Sequence, residues 1–338
     1  MKISVFGSGG WGTALAMSLC GRHEVTLCSH SKASAEELNL ARESRRLPGV
    51  KIPRSIKITA DKDETSRDIT MAVLAPPSFA FSETLEALKG VLPQRCAVVN
   101  ASKGLEAQTG RRFSEVSAAI LGGDRAYCVL SGPSHAEEVA RGEATLCVCA
   151  SKDRAVAQMV QDAFMSSSLR IYTSTDVVGV ELGGALKNII ALAAGMCDGL
   201  GVGDNTKAAL VTRGLSEIAR LGVKLGGKTE TFCGLAGVGD LYVTCNSEHS
   251  RNRRMGRLVG GGTPPERAIE MAGGVVEGYY AVQTARELSA RLGVDMPITG
   301  EVYNVLFNSL EPKQAVANLM GRSKTHEYEE VWFSERKD

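Results

Sequence analysis

An α/β half built on a mostly parallel sheet, followed by an all-helical half, is the fold class this sequence predicts, on three observations. A β-branched run at residues 2–6 ends in a glycine-rich turn that opens into a helix. Short apolar runs then alternate with helical segments as far as residue 174, which implies a sheet covered on both faces. Beyond that point the β pattern stops, and helical segments follow one another through Gly-rich loops. The 338 residues accommodate two domains of ordinary size, 1–174 and 175–338.

The first unit is the run KISVF, then Gly7-Ser8-Gly9-Gly10-Trp11-Gly12, then the helical TALAMSLC. Strand, G-x-G-x-x-G and helix in this order form the dinucleotide-binding arrangement of a Rossmann-like domain. Gly7 makes the turn, Gly9 lets backbone approach a pyrophosphate, and Gly12 lets helix and strand pack closely. The helix N-terminus then offers N–H groups and a positive dipole end to the phosphates. A second strand is expected at 24–28. At its end, where an acidic residue would hold a ribose 2′-hydroxyl, stands a loop, Ser29-His30-Ser31-Lys32. Without a carboxylate a 2′-phosphate is tolerated there, and His30 or Lys32 could attract it.

Further strands are expected at 70–75, 96–101, 126–131, 144–150 and 169–173, with helices at 79–89, 111–121 and 154–165. Ligands gather at the carboxyl ends of such strands. Pro76-Pro77, Ser102-Lys103-Gly104 and Ser131-Gly132-Pro133-Ser134 all fall at strand ends, which makes Lys103 a candidate contact.

Composition excludes several classes of function. Hydrophobic residues make up 43% and charged residues 23%, as in globular proteins. A net charge of +1 gives no basic field for nucleic acid or an anionic membrane. Nine cysteines without a CxxC pair and five scattered histidines argue against a disulfide scaffold or a metal site, and for a reduced, cytoplasmic protein. Cys147 and Cys149 alternate in an apolar run and are expected on one strand face. The N-terminal apolar run is too short for a signal peptide, and no apolar run is expected to reach the ~18 residues of a membrane helix.

In the second half, helices are expected around Lys187 and at 207–221, 265–271, 279–292 and 299–307. The stretch 183–205, GGALKNIIALAAGMCDGLGVGDN, is apolar, and between Glu181 and Asp198 its only charge is Lys187. A buried lysine needs a partner: burial lowers its pKa and a carboxylate raises it again, a combination that suits a proton donor. A lysine that snorkels to the surface would look the same in sequence. Asp198 is excluded as the partner, since eleven residues at roughly 1.5 Å each place it about 16 Å along the helix. Gly234-Leu-Ala-Gly-Val-Gly-Asp240, read as a glycine-rich turn ending in a carboxylate, is a source for one. Ser250-Arg251-Asn252-Arg253-Arg254 reads as a site for one small anion, because arginine offers planar, bidentate recognition of phosphate. A basic run can equally be a solvated face.

Over nearly its whole length the chain resembles the NAD(P)-dependent glycerol-3-phosphate dehydrogenases, particularly the bacterial biosynthetic type. GSGGWGTALA, ASKGLE, SGPSHAEEVA, GALKNIIALAAGMCDGLGVGDN, GLAGVGDL, SRNRRMG and GGVVEGY all stand in that family's order. The resemblance implies reversible, NADP- or NAD-dependent reduction of dihydroxyacetone phosphate to sn-glycerol 3-phosphate, feeding glycerophospholipid synthesis, with NADPH expected to be preferred. It implies Lys187 as the proton-transfer residue with Asp240 beside it. Lys103 would contact substrate and cofactor, and Gly132, Ser134, Ser250, Arg251 and Asn252 would contact substrate. Gly10, Trp11, His30, Ala136, Arg251, Val275 and Glu277 would line the cofactor groove with Gly7, Gly9 and Gly12. The expected partner is a small phosphate-bearing substrate, with no nucleic acid and no membrane span; a homodimer stays open. One departure from the family pattern is a 17-residue polar tail from Arg322 containing Trp332. Two rivals remain: a dehydrogenase of another hydroxy acid, which the Ser250–Arg254 cluster argues against, and a silent NAD(P)-binding sensor, which has no need of Lys103, Lys187 and Asp240 together.

Overall fold

The computed structural model describes residues 1–324, 326 and 327. Trp332 and most of the polar tail expected after Gly321 lie outside the described residues. The chain divides into two compact units, Met1–Glu106 with Arg111–Val177, and Ala107–Gly110 with Val178–Asp338.

In the first unit the described residues form eight strands: β1 Lys2–Phe6, β2 Glu24–Cys28, β3 Lys57–Thr59, β4 Met71–Leu74, β5 Ala97–Asn100, β6 Tyr127–Ser131, β7 Thr145–Ala150 and β8 Leu169–Ser174. They make one sheet in the order β3-β2-β1-β4-β5-β6-β7-β8. The helices between them are α1 Gly10–Leu19, α2 Lys32–Ala41, α3 Lys62–Ser66, α4 Phe81–Leu88, α5 Phe113–Leu121, α6 Ala136–Ala140 and α7 Arg154–Phe164. The fold class is the expected one: every neighbouring strand pair is parallel except β6 with β7. The connection between β6 and β7 holds only the five-residue α6.

Alternation along the strands sends side chains to two faces. Ile3, Val5, Val25, Leu27 and Val73 pack with Leu15 and Leu19 of α1, Leu38 of α2, and Val160 and Phe164 of α7. Phe6, Ala72, Leu74 and Val98 pack with Phe81 and Leu85 of α4 and Phe113 and Val116 of α5. Each such Val, Ile, Leu or Phe side chain contributes roughly 1.5–3 kcal/mol when fully buried. Cys147 and Cys149 are both buried on the first of these faces. The residues read as a loop at 29–32 do two different jobs. Ser29 continues the β2 ladder, its N–H donating to the Thr59 carbonyl, and Ser31 caps α2 by accepting from Ser34 N–H.

The second unit contains α8 Val177–Leu200, α9 Asp204–Lys224, α10 Thr229–Phe232, α11 Asp240–Asn246, α12 Arg251–Gly260, α13 Pro265–Met271, α14 Glu277–Leu292, α15 Pro297–Phe307 and α16 Pro312–Met320. A single π-helical turn, Leu235–Gly239, leads into α11. This corrects the reading of residues 234–240 as a turn. The wider coil brings Gly237 so close to Phe232 that a Cβ there would run into its backbone. α8 also departs from expectation. Over its 24 residues it is long and apolar enough, by length and composition alone, to cross a membrane, yet 94% of its most apolar window is buried inside the protein. It is the central helix of this unit.

Glycines let other elements approach α8 closely. A Cβ on Gly195 or Gly199 would strike the Arg253 or Arg257 carbonyl, and one on Gly256 or Gly260 would strike the Leu192 or Met196 carbonyl. α8 and α12 therefore cross backbone to backbone. On its other side α8 meets the π turn, where a Cβ on Gly183 would strike the Ala236 carbonyl.

Candidate active site

The glycine-rich loop leaves β1 with Gly7 at φ 114°, a conformation L side chains rarely adopt, and a Cβ there would stand 2.7 Å from the Ala75 carbonyl oxygen. A Cβ on Gly12 would strike the Gly7 carbonyl, so α1 is pressed against the loop. Around Gly9, by contrast, no atom lies within 4 Å of where a Cβ would be. Gly9 caps α1 with extended backbone, no side chain caps the helix, and its first turn holds no acidic residue. An open, uncapped helix N-terminus of ten residues is a physical fit for a pyrophosphate.

The residues around this loop are fixed by short bonds. Trp11 Nε1 donates to the Ala101 carbonyl at 3.0 Å, joining α1 to the end of β5. A Cβ on Gly10 would stand 3.3 Å from the Arg46 carbonyl oxygen and 3.7 Å from Ala136 Cβ of α6. Lys103 Nζ and Ser134 Oγ both donate to the Gly132 carbonyl, at 3.0 and 2.9 Å, so the loops after β5 and β6 converge. At the end of β2 the position an acidic residue would hold carries buried Ser29, whose hydroxyl bonds Ser8 Oγ in the glycine loop at 2.9 Å. His30 and Lys32 follow, both exposed.

In the second unit Lys187 is 5% exposed and Asp240 1%. The Lys187 ammonium donates to Asp240 Oδ1 and, at 2.6 Å, to Thr244 Oγ1. Thr244 in turn donates to the Asp240 carbonyl at 2.6 Å. Asp240 and Thr244 are one turn apart on α11, which the π turn aims at α8. Among the described residues, no group of three or more His, Cys, Asp or Glu side chains is placed to hold a metal ion. Burial pushes the nearby Cys245 thiol up to about 12, so it stays protonated and is no rival nucleophile.

The residue after the lysine begins a second chain of bonds. Asn252 Nδ2 donates to Asn188 Oδ1 at 2.9 Å, and Asn252 Oδ1 accepts from Gly278 N–H at 2.8 Å. The relay ties α8, the first turn of α12 and the first turn of α14, where half-buried Glu277 is followed directly by Gly278. Half-buried Val275 lies two residues before Glu277. Ser250 Oγ caps α12, accepting from Arg253 N–H at 3.2 Å, and Arg251 is exposed at the first helical position. The first unit thus gathers Gly7, Gly9, Gly10, Trp11, Gly12 and Ala136, and separately Lys103, Gly132 and Ser134. The second gathers Lys187, Asp240, Ser250, Asn252 and Glu277.

Sequence reasoning did not single out Thr244 or Asn188. The four-residue spacing of Asp240 and Thr244 on one helix face was the available signal for the first. Asn188, adjacent to the lysine, carries no pattern of its own.

Comparison with known proteins bears on the whole chain. Residues 2–157 match the family model described as NAD-dependent glycerol-3-phosphate dehydrogenase N-terminus, and residues 176–317 match the corresponding C-terminus. The chain belongs to the NAD-dependent glycerol-3-phosphate dehydrogenase family. It is similar to the glycerol-3-phosphate dehydrogenase (NAD(P)+) of Bacillus cereus strain AH187, at 49% identity over 334 residues covering 98% of each chain. It is 51% identical over 328 residues to the enzyme of the same name from Thermoanaerobacter sp. strain X514, covering 97% of this chain and 99% of that one. Among solved structures, glycerol-3-phosphate dehydrogenase from Coxiella burnetii superposes with a TM-score of 0.92 at 36% identity, covering 95% of this chain and 99% of that one.

Proposed function

We propose that this glycerol-3-phosphate dehydrogenase family member reversibly reduces dihydroxyacetone phosphate at C2 to sn-glycerol 3-phosphate with NADPH or NADH, supplying glycerophospholipid synthesis in the cytoplasm. The observation that carries the reading is the buried Lys187 ammonium, held by Asp240 and Thr244 in the same unit as Arg251 and Asn252. The unit containing the sheet is the dinucleotide-binding part, with Gly7, Gly9, Gly10, Trp11, Gly12, His30 and Ala136 as its contacts; Lys103, Arg251, Val275 and Glu277 complete them. When bound, the nicotinamide supplies the hydride.

The protein's own residues do the rest. Lys187 hydrogen-bonds the carbonyl oxygen and donates its proton as alkoxide character develops. Asp240 and Thr244 keep the ammonium aimed, so no reorganisation is needed in the transition state. Arg251 pairs with the substrate phosphate through charge-assisted bonds. Ser250, whose oxygen already accepts from Arg253, offers its O–H to the same phosphate, and Asn252 offers its second amide N–H. Lys103, Gly132 and Ser134 contact the substrate from the strand-end loops. The sites that anchor the phosphate fix the carbonyl for attack.

Cofactor preference follows from Ser29: with no carboxylate at the end of β2, a 2′-phosphate meets no repulsion, and NADPH is favoured over NADH. Mixing the protein with NADPH and dihydroxyacetone phosphate should give a fall in 340 nm absorbance that requires both. Turnover only with a 2-oxo acid in place of dihydroxyacetone phosphate, or NADPH binding without turnover, would point to the rival readings.

A further inference from the structure

Helix α12 carries two arginines two positions apart in different surroundings. Arg251 is exposed. The Arg253 side chain is only 15% accessible and is held on three sides. Its Nε donates to Asp198 Oδ2 at 2.6 Å, and its Nη1 donates to the Asn246 carbonyl at 3.0 Å and to Glu248 Oε1 at 2.5 Å. The second oxygen of Asp198 accepts from Lys207 Nζ at 2.9 Å. Asp198 lies in the last turn of α8, the helix of Lys187, and Asn246 ends α11, the helix of Asp240. Arg253 therefore joins the three helices that carry the proton donor, its carboxylate and the phosphate-binding turn. At this same point the glycine crossing leaves no side-chain layer between α8 and α12.

We propose that Asp198 and Arg253 are positioning residues: their ion pair sets the direction in which α12 presents Arg251 and Asn252 toward Lys187, without touching substrate. The inference rests on the reading of Arg251 as a phosphate ligand. A planar guanidinium bound to a carboxylate is directional in a way a lysine is not. Ligand displacements on the order of 1 Å can cost about 10²-fold in rate. The crossing has little slack to absorb such a shift on its own, so losing the ion pair should tilt the first turn of α12 and weaken capture of the phosphate.

The test is steady-state kinetics of the full-length Asp198→Asn and Arg253→Lys proteins, with Asp198→Glu for rescue and Arg257→Gln as a control at an exposed arginine of the same helix. Asp198→Asn and Arg253→Lys should each raise KM for dihydroxyacetone phosphate about tenfold, with kcat within about threefold of wild type and KM for NADPH unchanged. Asp198→Glu should recover part of the loss, and Arg257→Gln should leave substrate KM at its wild-type value. If Arg257→Gln raises KM as Arg253→Lys does, any change to an arginine of α12 has this effect, the Asp198–Arg253 pair is not special, and the inference fails. It fails equally if folded Asp198→Asn or Arg253→Lys shows wild-type KM, or loses kcat with KM unmoved. Should Asp198→Asn not fold, the milder Arg253→Lys decides alone. No turnover in the wild-type protein would bring down the dehydrogenase reading and this one with it. Wild-type turnover with unmoved KM in the variants would overturn this inference only.

Discussion

Lys187 and Asp240 stand 53 residues apart in the chain and share a buried hydrogen-bonded ion pair. Burying two charges is expensive, and their attraction offsets the cost only when both are present. Removing one partner leaves the other uncompensated. Asp240→Ala should therefore lower unfolding stability by ~3–5 kcal/mol. Lys187→Met combined with Asp240→Asn should cost less than the sum of the single changes, since the two act as a unit. Urea unfolding of wild type, Lys187→Met, Asp240→Asn and the double variant measures the coupling; strict additivity would mean the charges do not depend on each other.

Arg251 should act on binding more than on chemistry. Arg251→Ala removes charge-assisted bonds worth roughly 1.5–3 kcal/mol, which is about 10- to 150-fold in KM for dihydroxyacetone phosphate. KM for NADPH should rise too if the same guanidinium reaches the cofactor. A substrate KM that stays put would move the phosphate site elsewhere.

Cofactor choice should hinge on the end of β2. Ser29→Asp puts a carboxylate at the end of β2 and breaks the bond to Ser8. kcat/KM for NADPH should fall by about tenfold or more, the equivalent of ~1.4 kcal/mol, while NADH is spared or improved. Equal losses with both cofactors would show that Ser29 supports the loop and does not read the phosphate.

Glu217 predicts a pH dependence of stability. This buried carboxylate accepts from Ile298 N–H at 2.6 Å and from Thr299 N–H and Oγ1 at 3.1 Å, capping α15 from a distance. Burial pushes its pKa up from 4.5 to about 7, against the pull of those bonds and of Arg220. The folded state then binds the proton more tightly than the unfolded chain. Stability from this group is present below pH 4.5, falls as pH rises from 4.5 to about 7, and is level above that. Thermal melts of wild type and Glu217→Gln across pH 4 to 9 should show the wild-type Tm falling relative to that of the variant over that interval; a constant difference would rule out titration of Glu217 there.

Much of this fold could be read from the residues because its signals are local. KISVF followed by glycines, and apolar runs between helical segments, need no tertiary information. β3 escaped because three residues, Lys57–Thr59, carry no usable period. The reversed direction of β7 escaped because strand direction depends on whether a connection recrosses the sheet. The π turn escaped because glycines at 234, 237 and 239 suit a loop and a helical turn equally, and the contact that seats it, Ala236 against Gly183 of α8, is tertiary. In the site, Lys187 stood out as a lone charge in apolar surroundings. Asn188 and the Asp198–Arg253 pair matter through partners 64 and 55 residues away, and no spacing rule reaches that far.

The central claim is that Lys187 transfers the proton, and the most direct measurement is kcat of Lys187→Ala with NADPH and dihydroxyacetone phosphate. Circular dichroism and NADPH titration on the same sample establish that the protein is folded and binds cofactor. The account predicts near-normal NADPH affinity with kcat reduced by at least the ~10²–10⁴-fold of general acid–base catalysis. A folded, NADPH-binding Lys187→Ala protein that keeps more than about a tenth of wild-type kcat, far outside that range, would contradict it.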